Sequence, residues 1–242
     1  MLSNKLRIAP GIQDKRSLIS ANRKTVRGRR RRRPLYCIFC IVRLGGYMKR
    51  VCLLLINGFE AVEASVFTDV IGWNKFEGDG STELVTVGTR DELKCTWNFI
   101  VKPEKVISEI NVDEFDAIAI PGGFEEAGFY EEGFTKEVLD LINKFNDVKK
   151  LIVSICVGAL IIGKSGILQG RKATTYNLNR GLRQKQLREF GAVIVNDPIV
   201  IDDNIITSYN PSTAFDVAFI LLELLTSKEN CMNVKRLMGF IS

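Results

Sequence analysis

"LIVSICVGALIIG", Leu151 to Gly163, ends an apolar run on a cysteine and follows it at once with small and aliphatic residues. "KKLIVSI" (149–155) has the near-continuous apolar pattern of a strand buried on both faces of a parallel sheet. Val157 to Lys164 then reads as the start of a helix. Cys156 therefore stands at a strand-to-helix junction, and two readings compete there. Cysteine is among the most buried residue types, so a thiol in an apolar run is often plain core. A thiol immediately before a helix also meets the partial positive charge of the helix N-terminus, which favours thiolate and a lowered pKa, and the next amides can hold an oxyanion. Gly158, two residues on, removes the side chain that would crowd a sharp turn.

The same alternation extends outward in both directions. "RVCLLLI" (50–56) is a buried-strand run, and "EAVEASVFTDVIGWNKF" (60–76) sets Val62, Val66, Val70 and Trp73 at helical spacing. "TELVTVG" (82–88) is a second strand, "CTWNFIVKP" (95–103) an added strand or hairpin arm, and "FDAIAIPGG" (115–123) a strand ending in a glycine turn. A helix near Thr135 to Asn146, another near Leu178 to Phe190, and strands around "AVIVN" and "IIT" follow. "NPSTAFDVAFILLELL" (210–225) closes with a helix that Asn210 can cap and that Pro211 suits at its first position. Regular βαβ alternation predicts an α/β fold, a doubly wound and mostly parallel sheet with helices on both faces, in which ligands bind outside the carboxyl ends of the strands. Three groups fall at such ends: Gly58 to Glu63, Gly122 with Gly123, and Cys156.

Bulk properties separate the first part of the chain from the rest. Residues 1–50 carry 15 Lys+Arg and one acid, Asp14, a net +14, whereas the remainder holds 19 bases against 27 acids, a net −8. Residues 1–33 are Arg- and Ser-rich and culminate in "RGRRRRRP", a composition that cannot offset its chain entropy by burial. A nucleic-acid contact through Arg29–Arg33, an organellar leader and a segment foreign to the working protein are the alternatives. The last is favoured, because Met48 leads directly into the first buried strand. The expected organisation is thus a basic extension over 1–47 and one domain over 48–242. Cys37 and Cys40 form a lone CxxC with no second ligand pair, so no metal and no cofactor is expected. Six scattered cysteines in a 242-residue chain that is 46% hydrophobic suit a reducing, cytoplasmic setting, and no apolar run is long enough to span a membrane.

Glu60 and Glu63 open the helix after the first strand. Acids in a first turn ordinarily answer the helix dipole. A glutamate facing Cys156 across adjacent strand ends would instead have its pKa raised by burial and act as proton donor or shuttle to the thiol. "IPGGFEEAG" offers backbone amides to a substrate oxygen, and it lacks the spacing of a phosphate loop.

Taken in order, "NGFEAVEAS", "DAIAIPGG", "SICVGALIIGKSGIL", "GRKATTY" and "TSYNPSTAFDVAFILLE" resemble the ThiJ/PfpI family, of the DJ-1/PfpI superfamily, over nearly the whole body from about Lys49. The resemblance implies a class I glutamine amidotransferase-like fold and a homodimer. It implies that Cys156 is the reactive elbow cysteine and Glu63 the protonated acid beside it, with the amides of Gly123 and Val157 facing a substrate oxygen. Gly122 and Tyr176 fall in the expected pocket. Many members carry a histidine where Tyr176 stands, and this chain contains no histidine at all. Tyrosine, with an ordinary pKa of ~10, donates a hydrogen bond but is a poor base at neutral pH.

Peptide hydrolysis by cysteine calls for imidazole both to activate the thiol and to protonate the leaving amine, so a protease is disfavoured. Glyoxalase-type conversion of a 2-oxoaldehyde, or hydration or hydrolysis of a related small electrophile, needs only a thiolate and a carboxyl group. The alternative is a redox-sensing or protective protein in which an oxidant takes Cys156 to a sulfinate. A binding protein that keeps the elbow without turnover is the third reading.

Overall fold

Residues 47–241 are described by a computed structural model. The chain runs β1 (Lys49–Leu55), α1 (Ala61–Glu77), β2 (Thr82–Gly88), β3 (Leu93–Lys94), β4 (Ile100–Val101), β5 (Lys105–Val106) and β6 (Ala117–Ile120). It continues through α2 (Phe129–Gly133), α3 (Lys136–Asp147), β7 (Leu151–Ser154), α4 (Gly158–Lys164), β8 (Lys172–Ala173) and α5 (Leu182–Glu189). It ends with β9 (Val193–Ile194), β10 (Ile199–Asp202), β11 (Ile205–Ser208), α6 (Ala214–Leu225) and α7 (Lys228–Leu237). The basic run and the Cys37–Cys40 pair lie outside the described residues.

Seven strands form one sheet in the order β10–β11–β7–β6–β1–β2–β5. All its pairings are parallel except β10 with β11. From β1 the chain first moves outward to β2 and β5, then returns to the other side of β1 as β6. Right-handed crossovers taken in opposite directions place helices on opposite faces. Accordingly α1, α6 and α7 pack together as one layer and α3, α4 and α5 as another. The reversal between β1 and β6 is the switch point at which such sheets open a crevice.

The apolar runs of β1, β6 and β7 became central strands because both faces are covered: Ala117 to Ile120 are buried throughout, as are Val51 to Leu55. Phe67, Phe115, Phe129, Phe145 and Phe219 fill the space between sheet and helices, each burial worth about 1.5–3 kcal/mol.

Several expectations need correction. The stripe expected on α1 is rotated, since Val66 and Val70 are buried but Val62 and Trp73 are 46% and 40% exposed. The buried face is Glu63, Ala64, Val66, Phe67, Val70, Ile71 and Asn74, so Phe67 and Ile71 take the core and Glu63 turns inward with them. Of the two forms expected for the segment at 95–103, it takes the hairpin arm, β4 pairing with β3. Strands β8 and β10 and helix α7 were not anticipated. α7 starts at a Ser227 cap whose hydroxyl accepts from the Asn230 N–H, and Asn230 Nδ2 donates to Asn74 Oδ1 of α1 at 2.6 Å. Among the described residues no helix is long and apolar enough to cross a membrane.

Candidate active site

Cys156 leaves β7 with φ of 55°, in the left-handed region. A residue with a β-carbon pays on the order of 1 kcal/mol or more there. Neighbouring strands hold the turn in place. The Cys156 N–H donates to the Ser208 carbonyl at 3.1 Å, and the Ile155 N–H donates to the Ile120 carbonyl at 3.2 Å. The Thr175 hydroxyl donates to the Cys156 carbonyl at 2.8 Å. Gly158 lets the elbow approach β6, because a β-carbon there would lie 2.5 Å from the Ile120 carbonyl oxygen. Cys156 retains 7% of its surface, whereas Cys52, Cys95 and Cys231 keep 2% or less.

Glu63, in the first turn of α1, is fully buried. Its Oε2 accepts the Gly122 N–H at 2.6 Å, while Oε1 has no hydrogen bond of ordinary geometry. A side chain at Gly122 would come within 2.8 Å of Glu63 Oε2 and 3.1 Å of the Cys156 β-carbon. This glycine is what lets acid and thiol meet. The expected route was adjacent strand ends, yet β1 and β7 are not neighbours: both flank β6, and Glu63 reaches over the end of β6 to Cys156. Gly123 is locked in place by a bridge to Phe59, and a β-carbon on it would sit 2.3 Å from the Gly58 carbonyl oxygen. Among the described residues the Gly123 N–H donates to no acceptor, and the Val157 N–H faces the thiol. The loop after β1 is itself braced by the hairpin through Gly58 N–H to the Lys94 carbonyl and Thr96 N–H to the Phe59 carbonyl, both 2.8 Å.

Burial dominates the electrostatics. It pushes the Glu63 carboxyl up to about 8, with the negative charge of Glu60 adding to the shift and the Gly122 N–H opposing it. Glu63 is therefore protonated at neutral pH; with Oε2 occupied by the Gly122 N–H, Oε1 is the oxygen left to carry the proton. Burial and the nearby Glu63 also push the Cys156 thiol well above its ordinary value, and only the Val157 N–H pulls it down. That overturns the expectation of a depressed thiol pKa. Desolvation of a thiol this deep, next to an acid, exceeds what the end of a seven-residue helix supplies. The pair therefore titrates as a unit, and its first ionisation leaves one negative charge shared between sulfur and carboxyl.

A cleft of about 510 Å³ opens over this pair, lined by Cys156, Gly123, Val157 and Tyr176 together with Glu60, Tyr130 and Arg183. Gly122 lies behind it against Glu63. Of the helix-start acids it is Glu60, half-buried and with a raised pKa, that faces the cleft. Tyr130, Glu125 and Arg183 escaped the sequence reading. Arg183 reaches the cleft because Asn179, Arg180 and Gly181 take three consecutive left-handed conformations, φ 52°, 57° and 68°, that turn the chain into α5. A charged residue amid "NRGLRQKQLRE" carries no sequence signal that distinguishes it from a solvated face.

A model of the DJ-1/PfpI family matches residues 49–224. The chain belongs to the DJ-1/PfpI family. Among its relatives, the Drosophila melanogaster protein dj-1beta is 25% identical over 188 residues, covering 78% of this chain and 95% of that one. The crystal structure of that DJ-1beta superposes with a TM-score of 0.70 at 25% identity, over 81% of this chain and 99% of the other. The Pyrococcus furiosus protein named deglycase PfpI is 24% identical, over 69% of this chain and 93% of its own length. An isonitrile hydratase of Pseudomonas putida is 29% identical over 56% of this chain and 55% of its own. The DJ-1/PfpI assignment accounts for the mostly parallel sheet with helices on both faces.

Proposed function

We propose that this DJ-1/PfpI protein converts a small electrophilic carbonyl compound, a 2-oxoaldehyde in the first instance, through Cys156 and Glu63. The observation that carries the reading is the protonated, buried Glu63 carboxyl set beside a cleft-facing thiol, with the Gly123 amide unspent. Relatives are named deglycase and isonitrile hydratase, which supports an activity of this family and not one reaction.

In this reading the pair's anion attacks the aldehyde carbon through Sγ. The aldehyde oxygen becomes an alkoxide held by the Gly123 and Val157 amides, and it takes a proton from Glu63. The Glu63 carboxylate then removes the hydrogen on that carbon, and the resulting enediol is reprotonated at the neighbouring carbon. The former aldehyde carbon is thereby oxidised and the ketone carbon reduced, giving a thioester. Water cleaves the thioester, releasing a 2-hydroxy acid and restoring the thiol. No step uses imidazole, and Tyr176 serves as a hydrogen-bond donor on the wall. The test is conversion of methylglyoxal to lactate by the purified chain without glutathione. Activity is expected in the wild type and lost in Cys156→Ala; turnover that survives Cys156→Ala overturns the assignment.

A second reading, oxidation of Cys156 to a sulfinate held by the same amides, draws support from its being the most exposed of Cys52, Cys95, Cys156 and Cys231. All four are free, in keeping with a reducing, cytoplasmic setting. As part of the proposal the protein is a homodimer. An apolar groove of about 550 Å³ beside α1, lined by Val62, Trp97 and Phe99, is the face a second copy would cover, since Trp97 and Phe99 are 59% and 68% exposed.

A further inference from the structure

The cleft that holds the thiol is also lined by a cation set on an aromatic ring. The Arg183 guanidinium lies 4.9 Å above the Tyr130 ring, and its Nη1 donates to Gln186 Oε1 at 3.1 Å. Its Nη2 donates at 2.9 Å to Glu125, which comes from the 3₁₀ turn Glu125–Ala127 after β6. Arg183 is thus positioned by Gln186 of its own helix and by the Tyr130 ring, while the Glu125 carboxylate is 66% exposed and anchored by nothing else described. Tyr130 is 8% exposed, and its hydroxyl has no hydrogen-bond partner among the described residues. A charged donor is therefore held at the cleft on an aromatic ring whose unpartnered hydroxyl is buried, and the acceptor now on Arg183 is an exposed carboxylate of the chain itself.

We infer that this end of the cleft is a carboxylate subsite: Arg183, backed by Tyr130, receives the acid group of a small 2-oxoaldehyde that also carries a carboxylate and whose aldehyde carbon lies at Cys156, and Glu125 occupies the subsite in its place when the cleft is empty. A planar guanidinium presents its donors in the geometry of a carboxylate, and holding it on an aromatic ring removes the entropy cost of ordering it. Glu60 and Glu126 also line the cleft and set a repulsive background, so an acid substrate gains entry only by using Arg183. The inference deepens the carbonyl reading and rests on it for the chemistry, not for the recognition.

Alkylation of Cys156 tests recognition without turnover. Iodoacetate and iodoacetamide each alkylate Sγ at their CH2 carbon with loss of iodide, and they differ in that the group transferred ends in a carboxylate in one and a neutral amide in the other. Rates at Cys156 in the full chain are read by peptide mass spectrometry. The iodoacetate-to-iodoacetamide rate ratio is expected to fall roughly tenfold in Arg183→Gln, the scale of one lost charge-assisted hydrogen bond. A smaller fall is expected in Tyr130→Phe, and a rise in Glu125→Gln, where the competing carboxylate is gone. A ratio indifferent to Arg183→Gln and Glu125→Gln, or changes of the opposite sign, overturns the subsite. The rise in Glu125→Gln is a gain that damage to the fold does not produce, so it decides the matter if Arg183→Gln unfolds. Methylglyoxal turnover separates the two claims. No turnover with an Arg183-dependent ratio retires the catalytic reading alone; turnover with an Arg183-independent ratio retires the subsite alone.

Discussion

Replacing Glu63 by glutamine keeps the size of the side chain and an acceptor for the Gly122 N–H, and removes only the titrating proton. In the folded protein Glu63 holds its proton up to about pH 8, against an ordinary 4.5 in the unfolded chain. Between those values unfolding releases a proton, so the Glu63 contribution to stability is fully present below about 4.5 and is lost as pH rises toward 8. Each pH unit in that window is worth roughly 1.4 kcal/mol. From pH 5.5 to 7.5 the wild type should therefore lose roughly 2.7 kcal/mol relative to Glu63→Gln. Urea unfolding of both proteins at half-unit pH steps measures this difference, and the titrations common to both largely cancel in it. Burial sets the sign: a fully enclosed carboxyl with one backbone donor and an acidic neighbour has too little to hold a charge. A wild-type minus variant difference that stays flat within about 0.5 kcal/mol over this range, well below the slope expected, would show Glu63 already ionised in the fold. The protonated-acid mechanism would then fail with it.

Gly158→Ala should destabilise the protein by about 1–3 kcal/mol, the usual cost of overpacking, because the new β-carbon meets the Ile120 carbonyl, a backbone atom that cannot swing away; unchanged urea stability refutes that contact. Graded peroxide should add oxygen mass at Cys156 ahead of Cys52, Cys95 and Cys231, whose thiols lie deeper, and equal labelling of all four argues against a privileged cleft thiol. Trp97→Glu combined with Phe99→Glu should convert a dimer to a monomer in size-exclusion chromatography with light scattering while leaving the fold intact; a dimer that survives the pair is built on another face.

Local patterns carried much of this protein. Apolar runs four to seven residues long, each followed by a glycine turn or a helical segment, point to buried parallel strands when their shortness and flanking turns are read with them. Order along the chain then located Glu63, Gly122–Gly123 and Cys156 at strand ends, and five motifs in sequence pointed to the family. What the sequence did not contain is orientation and solvation. Whether Val62 or Glu63 of α1 faces inward depends on a rotation of one residue, which the packing of Phe67 and Ile71 decides. The pKa of Cys156 reads as depressed when only the following helix is considered, and as raised once burial and the Glu63 carboxyl surround it, since desolvation is a property of everything packed nearby. Arg183, Glu125 and Tyr130 are separated by up to 58 positions and share no pattern. They meet because the turns after β6, which carry Glu125 and Tyr130, lie against the start of α5, which carries Arg183, and no local rule counts the distance between two such segments.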